Sequence, residues 1–312
     1  QRAQHFEAVE AGHHDVEDQQ VDAALLHALE GARSGEHVLR VPAFERQGVS
    51  EADLIDFTPE LNAEAKRIAS NYKLGPLFTP PVVSTWPKPL GTLISPVVTG
   101  GANWQGGSLD PETNIMYIFS NSGGQSLGLV PPEGGRSDMN YVMGVARNPN
   151  AAPAAGRGGG PAGGGEGGGG LTVQGLPLLK PPYATITALN LNEGTKVWQI
   201  AHGETPDNIK NHPALKGLTI PRTGRQGRIG VLTTKSLVIA GEGGFATQAN
   251  GKRGAMLRAY DKATGKEVGA VYMDAPQTGS PMTYMINGKQ YITVSIAGPG
   301  YSGELLVFKL GS

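Results

Sequence analysis

The sequence predicts a mainly β chain built from propeller blades, with a short helical segment near its start. Two hairpin signatures carry that reading. The first is Ala188-Leu-Asn190-Leu-Asn-Glu-Gly194-Thr-Lys-Val-Trp198, and the second is Arg258-Ala259-Tyr-Asp261-Lys-Ala-Thr264-Gly265-Lys-Glu-Val268. Both follow Ala-x-Asp/Asn-x-x-x-Gly. The Asp or Asn opens a tight turn by bonding its own backbone, and the Gly supplies the positive φ that closes it. Apolar residues alternate on either side, as the outer strands of a blade require. The two signatures lie about 70 residues apart. A bare blade takes ~40–50 residues, so a long loop is expected between them.

The elements follow in chain order. Residues 1–43 hold five of the seven histidines and many carboxylates in a polar, Gln-rich setting. Only Ala23 to Leu26 and Leu29 suggest a helical turn or two, and the segment is expected to be disordered. Its His13-His14-Asp15-Val-Glu17-Asp18 run has the ligand types for a weak divalent cation site. With no strand or helix to frame it, it reads as a solvated polar run. At Ser50, an N-cap residue precedes Glu51-Ala-Asp53, with acids in the first turn. Thr58-Pro59 opens a second helix, on which Leu61, Ala65, Ile68 and Tyr72 share one face. Gly75-Pro76 ends it.

From Pro80 to Tyr117 the pattern changes to short β runs broken by Gly and Pro, and Ile115 to Phe119 alternates as a strand does. Residues 120–182 read as a long insertion. Within it, loop 148–172 is almost all Gly, Ala and Pro at its centre and should be flexible. It is no phosphate cradle, because no Lys-Ser/Thr follows it and no strand–helix context surrounds it. After Tyr183 strands dominate again, over 185–189, 231–240, 256–260, 282–286, 291–296 and 305–310. Loop 202–226 between them is polar.

Composition narrows the function classes. The formal net charge of −1 gives no argument for nucleic acid or an anionic membrane surface. The absence of cysteine excludes a disulfide, a thiolate zinc site and a covalent c-type haem in this chain. No apolar run of 18 residues suggests a transmembrane helix. The chain opens on Gln1 with polar residues and no signal peptide pattern, which suggests a fragment or a processed N-terminus.

Together with three further motifs, the two hairpins resemble the tryptophan-docking repeats of quinoprotein dehydrogenases. These enzymes carry pyrroloquinoline quinone (PQQ) on an eight-bladed propeller. The resemblance is to the membrane-bound glucose dehydrogenase type. Gly100-Gly-Ala-Asn103-Trp104-Gln-Gly106-Gly-Ser-Leu-Asp110-Pro111 is similar to that family's Gly-x-Asn-Trp blade. Gly227-Arg-Ile-Gly230 and the strand pair up to Gly241 resemble the segment before the second docking motif. Gly279-Ser-Pro281-Met-Thr283-Tyr284 through Gly288-Lys-Gln290-Tyr291 resembles its final blade. The likeness runs from about Phe44 to the C-terminus. It implies about four blades of the propeller, in its C-terminal half.

The resemblance also implies site residues, each beside a plainer reading. Asn103 would hydrogen-bond PQQ with an amide that carries no charge to repel the cofactor's carboxylates. Otherwise it only makes a turn. Trp104 would sit beside it, or pack between blades. Gly227 and Gly230 would let the backbone approach the cofactor's edge. Arg228 would pair with a carboxylate there, or be a solvated surface residue. Trp198 is the docking residue of its hairpin. The second hairpin has Val268-Gly269 where Leu-Trp is usual, leaving looser packing or a role for Tyr272. His202 and His212, with Glu204 and Asp207 nearby, match no metal-ligand spacing and read as structural or as part of a substrate rim.

By resemblance, the parent protein is a periplasmic PQQ dehydrogenase oxidising an alcohol or sugar. It would pass electrons to a quinone or cytochrome, with Ca²⁺ polarising the quinone carbonyl. No cluster here offers the six to eight oxygens of a Ca²⁺ site. The proton-accepting Asp and the Ca²⁺ ligands are therefore expected in an N-terminal half, and this chain alone is expected to be inactive. The rival reading is a non-catalytic propeller that binds protein partners.

Overall fold

The computed structural model describes residues 41–134, 137–150, 171–248 and 251–309. Nearly all of the 1–43 segment, including its histidine run, and most of loop 148–172 lie outside the described residues.

Blade A is a four-stranded antiparallel meander of Gly107–Asp110, Ile115–Asn121, Ala184–Asn190 and Thr195–Ala201. Blade B repeats it with Leu232–Thr233, Leu237–Gly241, Arg253–Asp261 and Glu267–Met273. Blade C has three strands, Met282–Ile286, Lys289–Gly298 and Tyr301–Lys309. Among the described residues, the expected count of about four blades thus resolves into four-stranded blade A, blade B with a fifth short strand Ala246–Thr247 on Arg253–Asp261, three-stranded blade C and a smaller mixed sheet.

Both predicted turns form by the predicted chemistry. Asn190 Oδ1 accepts from Asn192 N at 2.9 Å, and Gly194 has φ 67°. Asp261 Oδ1 accepts from Thr264 N at 2.9 Å, and Gly265 has φ 70°. The register slips by one residue at the same place in both hairpins, just after Ala188 and just after Ala259. Such a bulge bends the hairpin and increases its twist.

The blades pack face to face. Tyr117, Phe119, Ala184, Ile186 and Ala188 of blade A meet Ile229, Val231, Val238, Ala240 and Tyr260 of blade B, all buried. Ile239, Ala255, Leu257 and Met273 of blade B meet Ile292, Val294 and Ile296 of blade C. Each large apolar side chain so covered contributes roughly 1.5–3 kcal/mol. Trp198 adds a dock. Its indole Nε1 donates to Lys262 O at 3.0 Å in the turn of blade B, and Tyr117 Oη donates to the same oxygen at 3.1 Å. Tyr272, by contrast, donates its hydroxyl to Arg253 O at 3.1 Å within its own blade.

The chain leaves blade A after Asn121 and returns at Ala184. Read from the sequence, this excursion is a long insertion with no strand assigned to it. It instead supplies Gln125–Val130, which pairs in parallel with Val82–Val83 and antiparallel with Thr92–Ile94 and Val142–Met143. Gly128 hides that strand in the sequence. The glycine is required because a Cβ would lie 2.7 Å from both Gly144 O and Leu90 O.

The helix Pro59–Ala69 opens as predicted, with Thr58 Oγ1 accepting from Leu61 N at 3.2 Å, but it ends at Ser70, so Tyr72 lies beyond it and Gly75–Pro76 is a short strand paired with Gly48–Val49. Leu61, Ala65 and Ala69 are buried against Leu54, Ile55, Leu176 and Tyr183 in a separate core. The earlier helix reduces to one 3₁₀ turn, Glu51–Asp53. Loop 202–226 contains the short helix Asp207–Lys210 and the 3₁₀ turn Pro213–Leu215, whose Ile209 and Leu215 anchor it in the same core. Among the described residues, no helix is long and apolar enough to cross a membrane.

Candidate functional site

Three loops meet where the first strands of the blades begin. Loop 97–106 precedes blade A, loop 225–230 precedes blade B, and loop 277–280 precedes blade C. Asn121, at the end of a central strand of blade A, joins the first two. Its backbone N–H donates to Gly101 O at 3.0 Å. Its side chain grips Gly227 on both sides, donating to Gly227 O at 3.0 Å and accepting from Gly227 N at 2.9 Å. The second and third loops exchange Gly230 N to Gly279 O at 2.9 Å and Gly279 N to Arg228 O at 3.1 Å. Thr233 N donates to Ser108 Oγ at 3.1 Å, tying the first strands of blades A and B.

This rim carries all three sequence-predicted site residues. Asn103 closes its own loop, because Nδ2 donates to Thr99 O at 3.0 Å and Oδ1 accepts from Trp104 N at 2.9 Å. It is therefore a turn residue in this state, with its amide at the rim surface. Trp104 is 93% exposed and packs between no two blades of the described residues. Arg228 is exposed, with its backbone bonded to Gly279. Gly227 does permit a close backbone approach, but the partner in the chain is Gly243, whose Cα lies 2.3 Å from where a Cβ would stand. Gly230 likewise packs on Ser280.

The donors on this rim suit a flat anion. Arg228 supplies a guanidinium that can take a carboxylate with two parallel N–H bonds. Trp104 supplies an open aromatic face, and Asn103 an uncharged amide. Gly106, at φ 63°, has open space where a side chain would be. Among the described residues, no group of three or more His, Asp or Glu side chains is placed to hold a metal ion.

The two described histidines are structural. His202 is fully buried, donating Nε2–H to Gly241 O at 2.9 Å and accepting at Nδ1 from Tyr260 Oη at 2.8 Å. Burial pushes its pKa down to about 4, so it is neutral at pH 7. His212 accepts from Ala214 N at 3.2 Å and donates to Gln174 O at 2.9 Å, capping a 3₁₀ turn. Asp207 accepts from Thr247 N at 2.9 Å.

Glu204 belongs to a charge network that the sequence did not disclose. Arg258, buried in blade B, is held by Glu242 at 2.7 Å, Glu267 at 2.8 Å and Glu204 at 3.3 Å. Arg222 joins Glu204 at 3.0 Å. Burial alone would lower the Arg258 pKa, but Glu242 and its neighbours raise it. The network borders a cleft of about 660 Å³ lined also by Asp207, Lys210 and Tyr272. A Glu in the run Gly241-Glu242-Gly-Gly was the only hint, and no spacing rule links it to Arg258. Asn121 and Glu45 were missed for the same reason, since their partners lie far along the chain.

Comparison with known proteins agrees with this geometry. The family model described as "PQQ: Glucose/ethanol/alcohol dehydrogenase, beta-propeller domain" matches residues 14–292. A probable quinate dehydrogenase (quinone) of Xanthomonas campestris pv. juglandis is 29% identical over 226 residues, which cover 68% of this chain and 26% of that protein. The glycerol dehydrogenase large subunit of Gluconobacter thailandicus is 29% identical over 300 residues, covering 86% of this chain and 36% of that protein. Quinoprotein glucose dehydrogenase A of Acinetobacter calcoaceticus is 27% identical over 227 residues, covering 73% and 26%. The chain spans about a quarter to a third of the length of these relatives.

Proposed function

The chain belongs to the PQQ glucose/ethanol/alcohol dehydrogenase β-propeller family, and from that premise we propose that its rim is one wall of a PQQ pocket in a dehydrogenase that oxidises an alcohol or sugar hydroxyl. The observation that carries the reading is the Asn121 clamp, which fastens the Asn103 loop to the Arg228 loop. Two loops from different blades are thereby held as one surface. Arg228 would pair with a cofactor carboxylate, Trp104 would offer its face to the ring system, and Asn103 would add a neutral hydrogen-bonding amide.

When bound, PQQ would supply the two-electron acceptor, and a Ca²⁺ ion held by other parts of the parent protein would polarise its carbonyl. The residues of this chain bind and orient. The carboxylate that takes the hydroxyl proton and the Ca²⁺ ligands are assigned to other parts of the parent protein. In that protein the electrons pass on to a quinone or a cytochrome in the periplasm. Sugars or alcohols are proposed as substrates because the named relatives are dehydrogenases of glucose, glycerol and quinate.

The test is PQQ retention by the parent protein with Asn103→Ala. Losing one polar partner in the pocket should weaken retention by roughly 1–3 kcal/mol, with little change in melting temperature. Unchanged retention would leave Asn103 as a turn residue only. The second reading, a scaffold that binds protein partners, draws on the exposure of Trp104. Under it, Trp104→Ala abolishes a partner contact and PQQ does not bind at all.

A further inference from the structure

Glu45 lies outside every motif described above, yet it underlies the rim. Its Oε1 accepts from Ser120 Oγ and from Ser122 Oγ, the latter at 3.0 Å. Those serines flank Asn121, the residue that clamps Gly101 and Gly227. The Glu45 side chain also packs on Gly101, where a Cβ would lie 2.9 Å from Glu45 Cγ. The other carboxyl oxygen, Oε2, is buried with no hydrogen-bond partner. A carboxyl group without motif, wedged between the clamp and the loop that carries Asn103, needs an explanation.

We propose that Glu45 is a positioning residue for the Asn103–Trp104 loop, and that its carboxyl group holds the loop in the uncharged form and releases it when ionised. The role in PQQ binding rests on the pocket reading given above; the effect on the loop does not.

The surroundings support this sign. From its own segment only Arg46 brings charge. That guanidinium is already committed to Ser122 O at 2.8 Å, to Lys180 O, and to Asp53 at 3.7 Å. From blade A the facing groups are Ser120, Ser122, Thr185 and Gln199, none of them ionisable. Loop 100–106 contributes Gly, Ala, Asn, Trp and Gln. Tyr183, near Arg46, has its own pKa raised by burial and is neutral. Burial raises the Glu45 pKa, and the hydrogen bonds from Ser120 and Ser122 and the charge of Arg46 only partly offset it. A carboxyl whose folded pKa is raised contributes its stability at low pH. That contribution is full below the unfolded carboxylate value and is lost as pH rises through the raised folded value.

The experiment uses the whole chain labelled with 5-fluorotryptophan. The Trp104 fluorine signal is assigned by its loss in Trp104→Phe. In the wild type this signal should shift as pH rises above the ordinary carboxylate range. In Glu45→Gln, which keeps the shape and cannot ionise, it should stay at its low-pH position. A Glu45→Gln signal that titrates like the wild type, or a wild-type signal that never moves, would overturn the proposal. In the parent protein, Glu45→Ala should lower PQQ retention about tenfold, the smaller end of outer-shell effects, and Glu45→Gln should restore it. If Glu45→Ala retains PQQ fully while Asn103→Ala loses it, the link from Glu45 to the pocket is wrong. If neither variant changes retention while the fluorine result holds, the pocket reading fails and the loop role of Glu45 stands.

Discussion

The two hairpins differ at one position, and the difference separates turn formation from blade docking. Ala188 pairs with Trp198 in blade A, and Ala259 pairs with Gly269 in blade B. The two positions are equivalent in register, each just before the bulge. Both turns form alike, so the Asp/Asn–Gly chemistry acts locally and does not depend on the docking residue. Trp198 reaches across to Lys262 O, and its ring lies 2.9 Å from where a Cβ on Gly265 would stand. Nothing lies within 4 Å of a Cβ built on Gly269. The seam between blades A and B is therefore pinned at its outer turn, while the seam between B and C is not.

The second seam is pinned instead by Gln277, which is buried. Its Nε2 donates to Gly230 O and Gly279 O, both at 2.8 Å, and its Oε1 accepts from Gly241 N at 2.5 Å. These bonds lie at the rim end of the seam. Both seams are thus joined by a side-chain amide at the rim end, Asn121 in the first and Gln277 in the second, and the first adds an indole at the periphery.

The largest expected effect is at the first seam. Trp198→Ala removes the indole dock and leaves Lys262 O with Tyr117 alone. We expect a loss of about 3 kcal/mol, the low end for an aromatic truncation because Trp198 is only half-buried. Urea unfolding at constant m-value measures it. A loss under about 1 kcal/mol would mean that the apolar layer alone holds blades A and B.

At the second seam, Gln277→Leu keeps volume and removes three hydrogen bonds. Leaving Gly241 N–H buried without a partner should cost about 1–3 kcal/mol. Hydrogen exchange should show faster opening at Gly230 and Gly241 than at Ile200 or Ala201. Equal protection at both seams would sink the claim that Gln277 pins the second one.

How far this organisation could be read beforehand follows from the range of each interaction. The hairpins, the Thr58 cap and the strand alternation at Tyr117 are set by neighbours within a few residues, and each was legible. The rim residues Asn103, Trp104 and Arg228 were identified through family resemblance, and the structure gathers them on adjoining loops. Their surroundings were not legible. Asn121 meets Gly227 across 106 residues, Glu45 meets Ser120 across 75, and Arg258 collects Glu204 from 54 residues away. No periodicity encodes such distances. Gln125–Val130 was missed for a different reason, because Gly128 interrupts the alternation and its partner strands are only two or three residues long.

The smallest predicted effect sharpens the comparison most. Gly269 is a glycine without a conformational need for one. Its φ is not positive, and no atom stands where its Cβ would go. A glycine inside a strand loses more backbone freedom on folding than any other residue. Gly269→Ala should therefore stabilise the chain by about 0.5–1 kcal/mol through the unfolded state, with no new contact. The measurement is again a urea midpoint at constant m-value. A destabilised variant would show that blade B is held in a tighter setting than its open surroundings indicate, and that Gly269 is part of the docking. The same position then permits the converse substitution. Gly269→Trp puts at the B–C seam the residue that blade A uses at its own. If a docking indole acts only through the turn of the next blade, the gain should stay near that of Gly269→Ala, because the described part of blade C stops after its third strand and offers no turn between third and fourth strands. A gain well beyond about 1 kcal/mol would mean that the indole docks wherever an apolar blade face is offered, and that the A–B seam owes less to Lys262 O than its geometry suggests.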